Sequence, residues 1–464
     1  MPEPIASAQP QNLRRSTIAT YAIGSLGTGG FSTLPGLVLV YYLTDNLGLA
    51  AALAGAVVLV AKIWDVVIDP LIGAWSDRSL GHHGTRRRFM VVGALLLPVF
   101  FIVTFAVPIG LPAWLSALWV FVAFVLTASA FSLFQVPYIA LPAELTHDYD
   151  QRTRLLTTRV VVLTVAILLF GAGGPALRSL GGANHYLGYL LMAVVAGVVI
   201  GIGMLVSSRV APSRSPSTDD REPVPVAAES TGYRAGFSAL HRSQPFRALV
   251  LAFLLQAVAT GLMLAGAQYI ATYVLHSEDA VTFLFVALIA PAVVFAPIWA
   301  VIARRIGKER GFLIASVLFG IAALAMLLLL WAPGAWVYGP VALAGAAYAG
   351  MQSLPLSMLP DVVSYDARTH GPGAAGAFGG IWTAAETTGM ALGAATLSAI
   401  LAISGYTSSV ADKHAAQSSA AISGIVLSFS IVPAVLIGAS VISLVRYRLR
   451  KSDIEAAIQF SAVS

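Results

Sequence analysis

The sequence predicts an all-α membrane protein of twelve spans, arranged as two six-helix halves, and three observations carry that expectation. First, the 464 residues are 58% hydrophobic and only 10% charged, with a mean hydropathy of +0.83, far from the roughly 25% charged residues of soluble domains. Second, apolar runs of about 20 residues, enough to cross a ~30 Å hydrocarbon core, begin near Thr17, Ala50, Phe89, Trp114, Leu156 and His185. Six more begin near Phe246, Ala280, Phe312, Trp336, Ala375 and Ala421. Third, of the 27 Lys and Arg, all but Arg178, Lys413 and Lys62 fall on the side of the termini and the even-numbered loops. The positive-inside rule makes that side the cytoplasm, in a multi-pass inner-membrane topology with both termini cytoplasmic.

The elements follow in order. The opening MPEPIASAQPQNLRRST is polar and lacks the pattern of a cleavable signal, so the first helix is expected to serve as the insertion signal. Residues 1–206 form an N-terminal six-helix half, and 207–244 a Ser-, Pro- and charge-rich linker. Residues 245–445 form the C-terminal half, and 446–464 a tail. The halves repeat weakly: Asp69-Pro70-Leu71 to Arg88 after span two resembles Ala296-Pro297-Ile298 to Arg310 after span eight, each with a Trp (Trp75, Trp299) before an arginine-rich turn. Small-residue runs at GGFSTLPG, GAAGAFGG and near Gly393 suit close helix contact.

Composition also narrows the chemistry. With no cysteine there is no disulfide, thiolate metal site or cysteine nucleophile. His82 and His83 lack further ligands at metal spacing, and no phosphate-binding G-x-x-x-x-G-K-[ST] loop is present. The chain is therefore read as a non-enzyme without a cofactor beyond a coupling ion, acting as a monomer on a small-molecule substrate amid membrane lipid, with no nucleic-acid role.

Lys62, Asp65 and Asp69 stand at i, i+3 and i+7, so a helix presents them on roughly one face. Ionisable groups at membrane depth cost roughly 2.5–3.5 kcal/mol each on insertion scales and turn toward partners or water. Two carboxylates one turn apart repel unless a cation or proton lies between them. The pattern supports a cation or proton site first, with as its alternative an ion-pair network in which Lys62 neutralises one aspartate and fixes helix packing.

Gly73, Asp77, Arg78, Gly84, Arg86, Arg87 and Arg88 resemble the G-x-x-x-D-R-x-G-R-R loop of the major facilitator superfamily, with a longer spacer. W-D-x-x-x-D-P at Trp64 to Pro70 is similar to the glycoside-pentoside-hexuronide:cation symporter family, the melibiose-permease-like carriers. YAIGSLG from Tyr21, YYLTD from Tyr41, PYIALP from Pro137, DQRTRLLTTR ending at Arg159 and MLPDVVSYD from Met358 fall where that family has related motifs. The resemblance implies the major-facilitator fold, with substrate held near the midplane between halves, and places the cation at Asp65 and Asp69 with Ser132. An asparagine of the family's cation site is Ile68 here, which thins the site and favours a proton over Na⁺.

The family's galactoside-binding charges align with Thr28, Gly29 and Gln135, and its stacking tryptophan with Ile139, so a galactoside is not the expected substrate. Glu386 stands in span eleven where many members carry a lysine, and reads either as a cavity carboxylate or as a buried neutral acid. Arg159 matches a cavity arginine, whereas Arg152 and Arg154 read as surface anchors. Tyr138, Trp382 and Phe378 are aromatic candidates for the cavity, with packing as the plainer reading. Asp77, Arg78 and Arg86 to Arg88 are the expected gate, and Glu144, Asp148, Asp361 and Asp366 the expected ion-pair partners between halves, made in the outward-open state and broken in the inward-open one. These features converge on cation-coupled (H⁺ or Na⁺) symport of a small organic solute such as a sugar or glycoside. The alternatives are an amphiphile, lysolipid or drug transporter of the same fold, or a non-transporting membrane scaffold or sensor.

Overall fold

The computed structural model describes residues 13–146, 148–212, 238, 240–370, 375–410, 415–447 and 449. Most of the expected linker and tail, Lys413 among the odd-loop basic residues, and the first part of GAAGAFGG lie outside the described residues. The first half comprises α1 (Arg15–Ile23), α2 (Ser25–Tyr41), α3 (Ala51–His83), α4 (Arg87–Phe105), α5 (Ala113–Leu145), α6 (Tyr149–Ser179) and α7 (His185–Ser208). The second comprises α8 (Gln244–Tyr269), α9 (Ala280–Ile306), α10 (Lys308–Ala325), α11 (Tyr338–His370), α12 (Ala375–Ile403), α13 (Ser419–Phe429) and α14 (Ile431–Val445). Helix entries are capped by side chains: Asp148 accepts from Gln151 N–H, Asn184 from Leu187 N–H and Ser418 from Ala421 N–H. The turn after α3 closes on Gly84 at φ 66°, a left-handed position that suits glycine.

Among the described residues, eleven helical stretches are long and apolar enough to cross a membrane. The remaining span is α11, whose 33 residues reach about 50 Å at ~1.5 Å per residue. Tyr348, Gln352, Ser353, Ser357 and Asp361 dilute its hydropathy. It takes the tenth place by packing on α9 and α10, as α5 packs on α3 and α4.

That correspondence is general, and it gives the weak sequence repeat a structural form. The α2·α6 contact of the first half matches α8·α12 of the second, and α4·α7 matches α10·α14. Both α2 and α8 end in a π-helical turn, Tyr42–Asn46 and Ile270–Val274. Even the basic loops correspond: Arg86 reaches Glu144 at the end of α5, and Lys308 reaches Asp361 toward the end of α11.

The halves meet through α3·α12, α6·α9 and α2·α8. The tight contacts sit at one end of these pairs, where glycine removes the bulk a side chain would bring. A Cβ on Gly55 would stand 2.4 Å from Ser398 Cβ, and one on Gly171 would stand 2.0 Å from the Phe285 ring. Toward the Arg86 end, α3 and α12 part around an apolar groove of about 660 Å³ lined by Val66, Val67, Pro70, Leu71, Ile381 and Thr388, among others. Gly393 does pack against the α8 backbone, whereas Gly379 and Gly380, at the end of GAAGAFGG, have open space around them.

Candidate functional site

The α3 face assembles as its spacing requires. Lys62 Nζ lies 3.0 Å from Asp65 Oδ2, and its ammonium sits over the rings of Phe31 and Phe124, at 4.9 and 5.7 Å from their centroids. Asp69, one turn on, lies near the Ser132 hydroxyl of α5. Trp64 pins α3 to α5 by donating to Ser129 Oγ at 2.8 Å. Asp65 is buried, and its Oδ1 has no hydrogen-bond partner, which is costly unless another group comes to it. Two carboxylates and a hydroxyl are thus gathered with one resident ammonium. Ile68 supplies no oxygen, so a cation here would meet few protein ligands, and protonation of one carboxylate asks nothing more of the site.

The sugar-aligned positions are neutral and mutually satisfied. Thr28 donates to Gln135 Oε1 at 2.7 Å, and Gly29 turns toward α6, where a Cβ would lie 2.7 Å from Ala166 Cβ. Ile139 is exposed. All three aromatic candidates are packing elements, the plainer of the two readings. Tyr138 is fully buried between the Tyr21 and Phe134 rings and donates to Tyr21 O at 3.0 Å. Trp382, also buried, stacks on Phe253 with centroids 4.0 Å apart, and Phe378 is fully buried against Phe246. All three were candidates because aromatic type is visible in sequence, but helix rotation is not. Tyr138 still serves the site, because the half-buried Arg159 guanidinium stands 5.2 Å from its ring. Glu386 is exposed, on α12, beside Tyr348 of α11.

Of the expected gate residues, Arg86 is the organiser. Its guanidinium holds Asp77 Oδ1 at 2.5 Å and Glu144 Oε1 at 2.5 Å, and donates to Ser76 Oγ. Arg78, Arg87 and Arg88 are exposed at the surface. The ion-pair partners expected between halves in the outward-open state hold other partners in this structure. Glu144 pairs with Arg86 and Asp361 with Lys308, each within its own half, Asp366 pairs with Arg242 at the end of the linker, and Asp148 caps α6.

The polar bonds that do cross between halves lie at the other end, and sequence reasoning missed them. Asp45, at the end of the α2 π-turn, accepts from Tyr406 O–H at 2.6 Å and from Tyr273 O–H. Thr44 bonds Asp45 at 2.6 Å and Tyr269 at 2.7 Å, and Ser409 N–H donates to Thr44 O at 3.0 Å. Nearby, Arg178 of α6 bridges to Glu278 at 3.3 Å, a buried arginine also bonded to Tyr189. The available signals were the YYLTD run ending at Asp45 and the exceptional place of Arg178 among the basic residues.

Two symmetric six-helix halves, closed on each other at one end and parted at the other around half-buried charge, define a major-facilitator transporter. Residues 20–451 match the MFS/sugar transport protein family, and the chain belongs to it. It is 25% identical over 454 residues to the isoprimeverose transporter of Lactiplantibacillus pentosus, covering 94% of this chain and 88% of that one. It is also 25% identical to a putative glycoside/cation symporter of Escherichia coli, covering 94% and 92%. A 181-residue stretch is 32% identical to an uncharacterized symporter of Synechocystis, spanning 36% of this chain and 33% of that protein. The fold matches the solved xylose transporter of E. coli with a TM-score of 0.65 and 14% identity, over 94% of this chain and 98% of that one.

Proposed function

We propose that this protein is a cation-coupled symporter of a sugar-like solute, working by alternating access, with H⁺ as the coupling ion. The observation that carries this reading is the Lys62, Asp65, Asp69 and Ser132 cluster, two carboxylates at membrane depth beside one ammonium and one hydroxyl. The family and the names of its relatives support coupled transport of sugars or glycosides. In this reading the Arg86 end, both termini and the linker face the cytoplasm, and the structure is the inward-open state. Asp65 and Asp69 carry the ion, Arg159 and Glu386 face the solute, and Arg86 is the inner gate residue. The functional unit is a monomer, with halves at 1–206 and 245–445.

The test is flux into proteoliposomes across a panel of sugars and glycosides, with H⁺ or Na⁺ gradients imposed separately. Accumulation driven by a pH gradient and lost in Asp65→Asn and Asp69→Asn is the expected result; full ion response in both variants would leave only a packing role. Sidedness is tested by one cysteine at Ser217, in the linker outside the described residues, which should react with an impermeant maleimide only from the cytoplasmic face.

A second reading, an amphiphile carrier, is favoured by one observation, the apolar groove between α3 and α12. Uptake of a lysolipid but of no sugar in the same assay would select it.

A further inference from the structure

The groove where α3 and α12 part is lined from three helices: Val67 and Leu71 of α3, Ile381 and Ala384 of α12, and Leu254 of α8. Among the described residues, Thr388 is the only polar one that lines it. Its volume of about 660 Å³ takes roughly one turn of a helix about 10–12 Å across, so a partner helix does not seat there. A polyol does not suit it either, because its hydroxyls would go unmet. A single hydrocarbon chain finds apolar contacts along its length and leaves no polar group unpaired. Val67 and Leu71 are 53% and 47% exposed, so the groove is open to such a chain rather than enclosed.

The groove leads to a basic rim. The two helices run antiparallel, with Gly55 against Ser398 and residues 66–71 across from 381–388, so both continue past the groove toward the Arg86 end. On α3, Leu71, Trp75 and Arg78 stand at i, i+4 and i+7, all beyond Pro70 in one continuous helix, and therefore share a face. All three are exposed. At ~1.5 Å per residue Arg78 lies roughly 10 Å beyond Leu71, and between them stands Trp75, a residue type that membrane interfaces favour. On α12, a Cβ at Gly379 or Gly380 would meet nothing within 4 Å, so no side chain closes the way. Among the described residues, Arg78 makes no ion pair or hydrogen bond, while Asp77 and Glu144 are both held by Arg86. Arg87 and Arg88, exposed at the start of α4, add positive charge at the same end.

We propose that this groove is a site for an anionic phospholipid, with one acyl chain lying between the halves and the phosphate bonded by the Arg78 guanidinium. The lipid is a resident ligand and not the transported solute, so the inference stands apart from the transport reading above. A chain seated between α3 and α12 holds this end apart, and its binding favours this conformation over one in which the end closes. A zwitterionic lipid offers the same tail and phosphate but brings an ammonium to a rim that already carries Arg78, Arg87 and Arg88.

The experiment uses purified full-length protein, with binding of phosphatidylglycerol and of phosphatidylcholine with the same chains read by native mass spectrometry. The expected result is that the first phosphatidylglycerol binds about 10-fold tighter. Arg78→Gln should lower that preference about 5- to 10-fold, and Ala384→Phe should weaken both lipids by filling the groove. Arg310→Gln, at an exposed arginine of the corresponding turn in the other half, should change neither. One arm needs no groove variant: in nanodiscs, phosphatidylglycerol with a diazirine on one acyl chain should cross-link chiefly within residues 66–71 and 381–388. Ser398→Cys, at the closed seam, should react with maleimide about 3- to 10-fold more slowly in phosphatidylglycerol than in phosphatidylcholine nanodiscs. Equal binding of the two lipids, a preference that survives Arg78→Gln, unchanged binding in Ala384→Phe, or an equal or faster Ser398→Cys reaction would overturn the proposal. So would cross-links spread evenly over the lipid-facing helices, which mark annular lipid only, and transport of the labelled lipid by the protein, which would make it cargo.

Discussion

The two ends of the helical bundle handle polar groups in opposite ways. At the Asp45 end the bonds cross between halves: Asp45 with Tyr273 and Tyr406, Thr44 with Tyr269, Arg178 with Glu278. At the Arg86 end they do not cross between halves: Arg86 pairs with Asp77 and Glu144, Lys308 with Asp361, and Arg242 at the end of the linker with Asp366. A buried polar group is costly when its partner leaves, so the crossing bonds favour closure at the Asp45 end. The internal bonds survive whether or not the halves meet at the other. The difference places the conformational bias of this state at the Asp45 end, and makes the Arg86 end a pair of stiffened rims.

That comparison can be broken or sharpened by substitution, with one reporter throughout. Ser398 is buried at the seam against Gly55, and the chain has no cysteine, so Ser398→Cys reports opening of that end by its maleimide reaction rate. The largest effect is expected from Asp45→Ala, which leaves the Tyr273, Tyr406 and Thr44 hydroxyls without their acceptor. Loss of hydrogen bonds to a buried charged group costs about 1.5–3 kcal/mol each, so labelling should rise roughly 10- to 100-fold. An unchanged rate would remove Asp45 from the latch.

Tyr406→Phe removes the hydroxyl that touches both Asp45 oxygens and keeps the ring, so labelling should rise by a smaller factor, roughly 5- to 20-fold on the same scale. Glu278→Gln weakens a longer, partly exposed pair, and a change of roughly 2- to 5-fold is expected, in line with the modest worth of such pairs. At the opposite end, Arg86→Gln should leave Ser398→Cys labelling unchanged. It should instead lower the melting temperature, because Glu144 and Asp77 lose their shared partner within one half. A rise in labelling equal to that of Asp45→Ala would refute the distinction between the ends.

Some of the site was legible before folding. Lys62, Asp65 and Asp69 could be placed on one face because helix periodicity is a local property. Their contact with Ser132 was reachable through family resemblance, since α3 and α5 meet only in the packed half. Tyr138 and Trp382 were placed at a plausible depth but on the wrong side, because a few tens of degrees of helix rotation separate a cavity from a buried face. Glu144, Asp361 and Asp366 were recognised as partnered, and the structure supplies the partners they hold in this state, Arg86, Lys308 and Arg242.

What the sequence determined by itself was the set of spans, the segregation of basic loops and the depth of each charge. Those depend on runs of about 20 residues and on the cost of charge in hydrocarbon. What only the tertiary structure decided was pairing. Asp45, Tyr273 and Tyr406 come from segments more than a hundred residues apart, and no local period relates them. Whether a buried carboxylate meets a hydroxyl across the seam or an arginine in its own half is set by how two symmetric bundles tilt against each other, and that tilt is fixed by contacts such as Gly55 on Ser398 and Gly171 on Phe285.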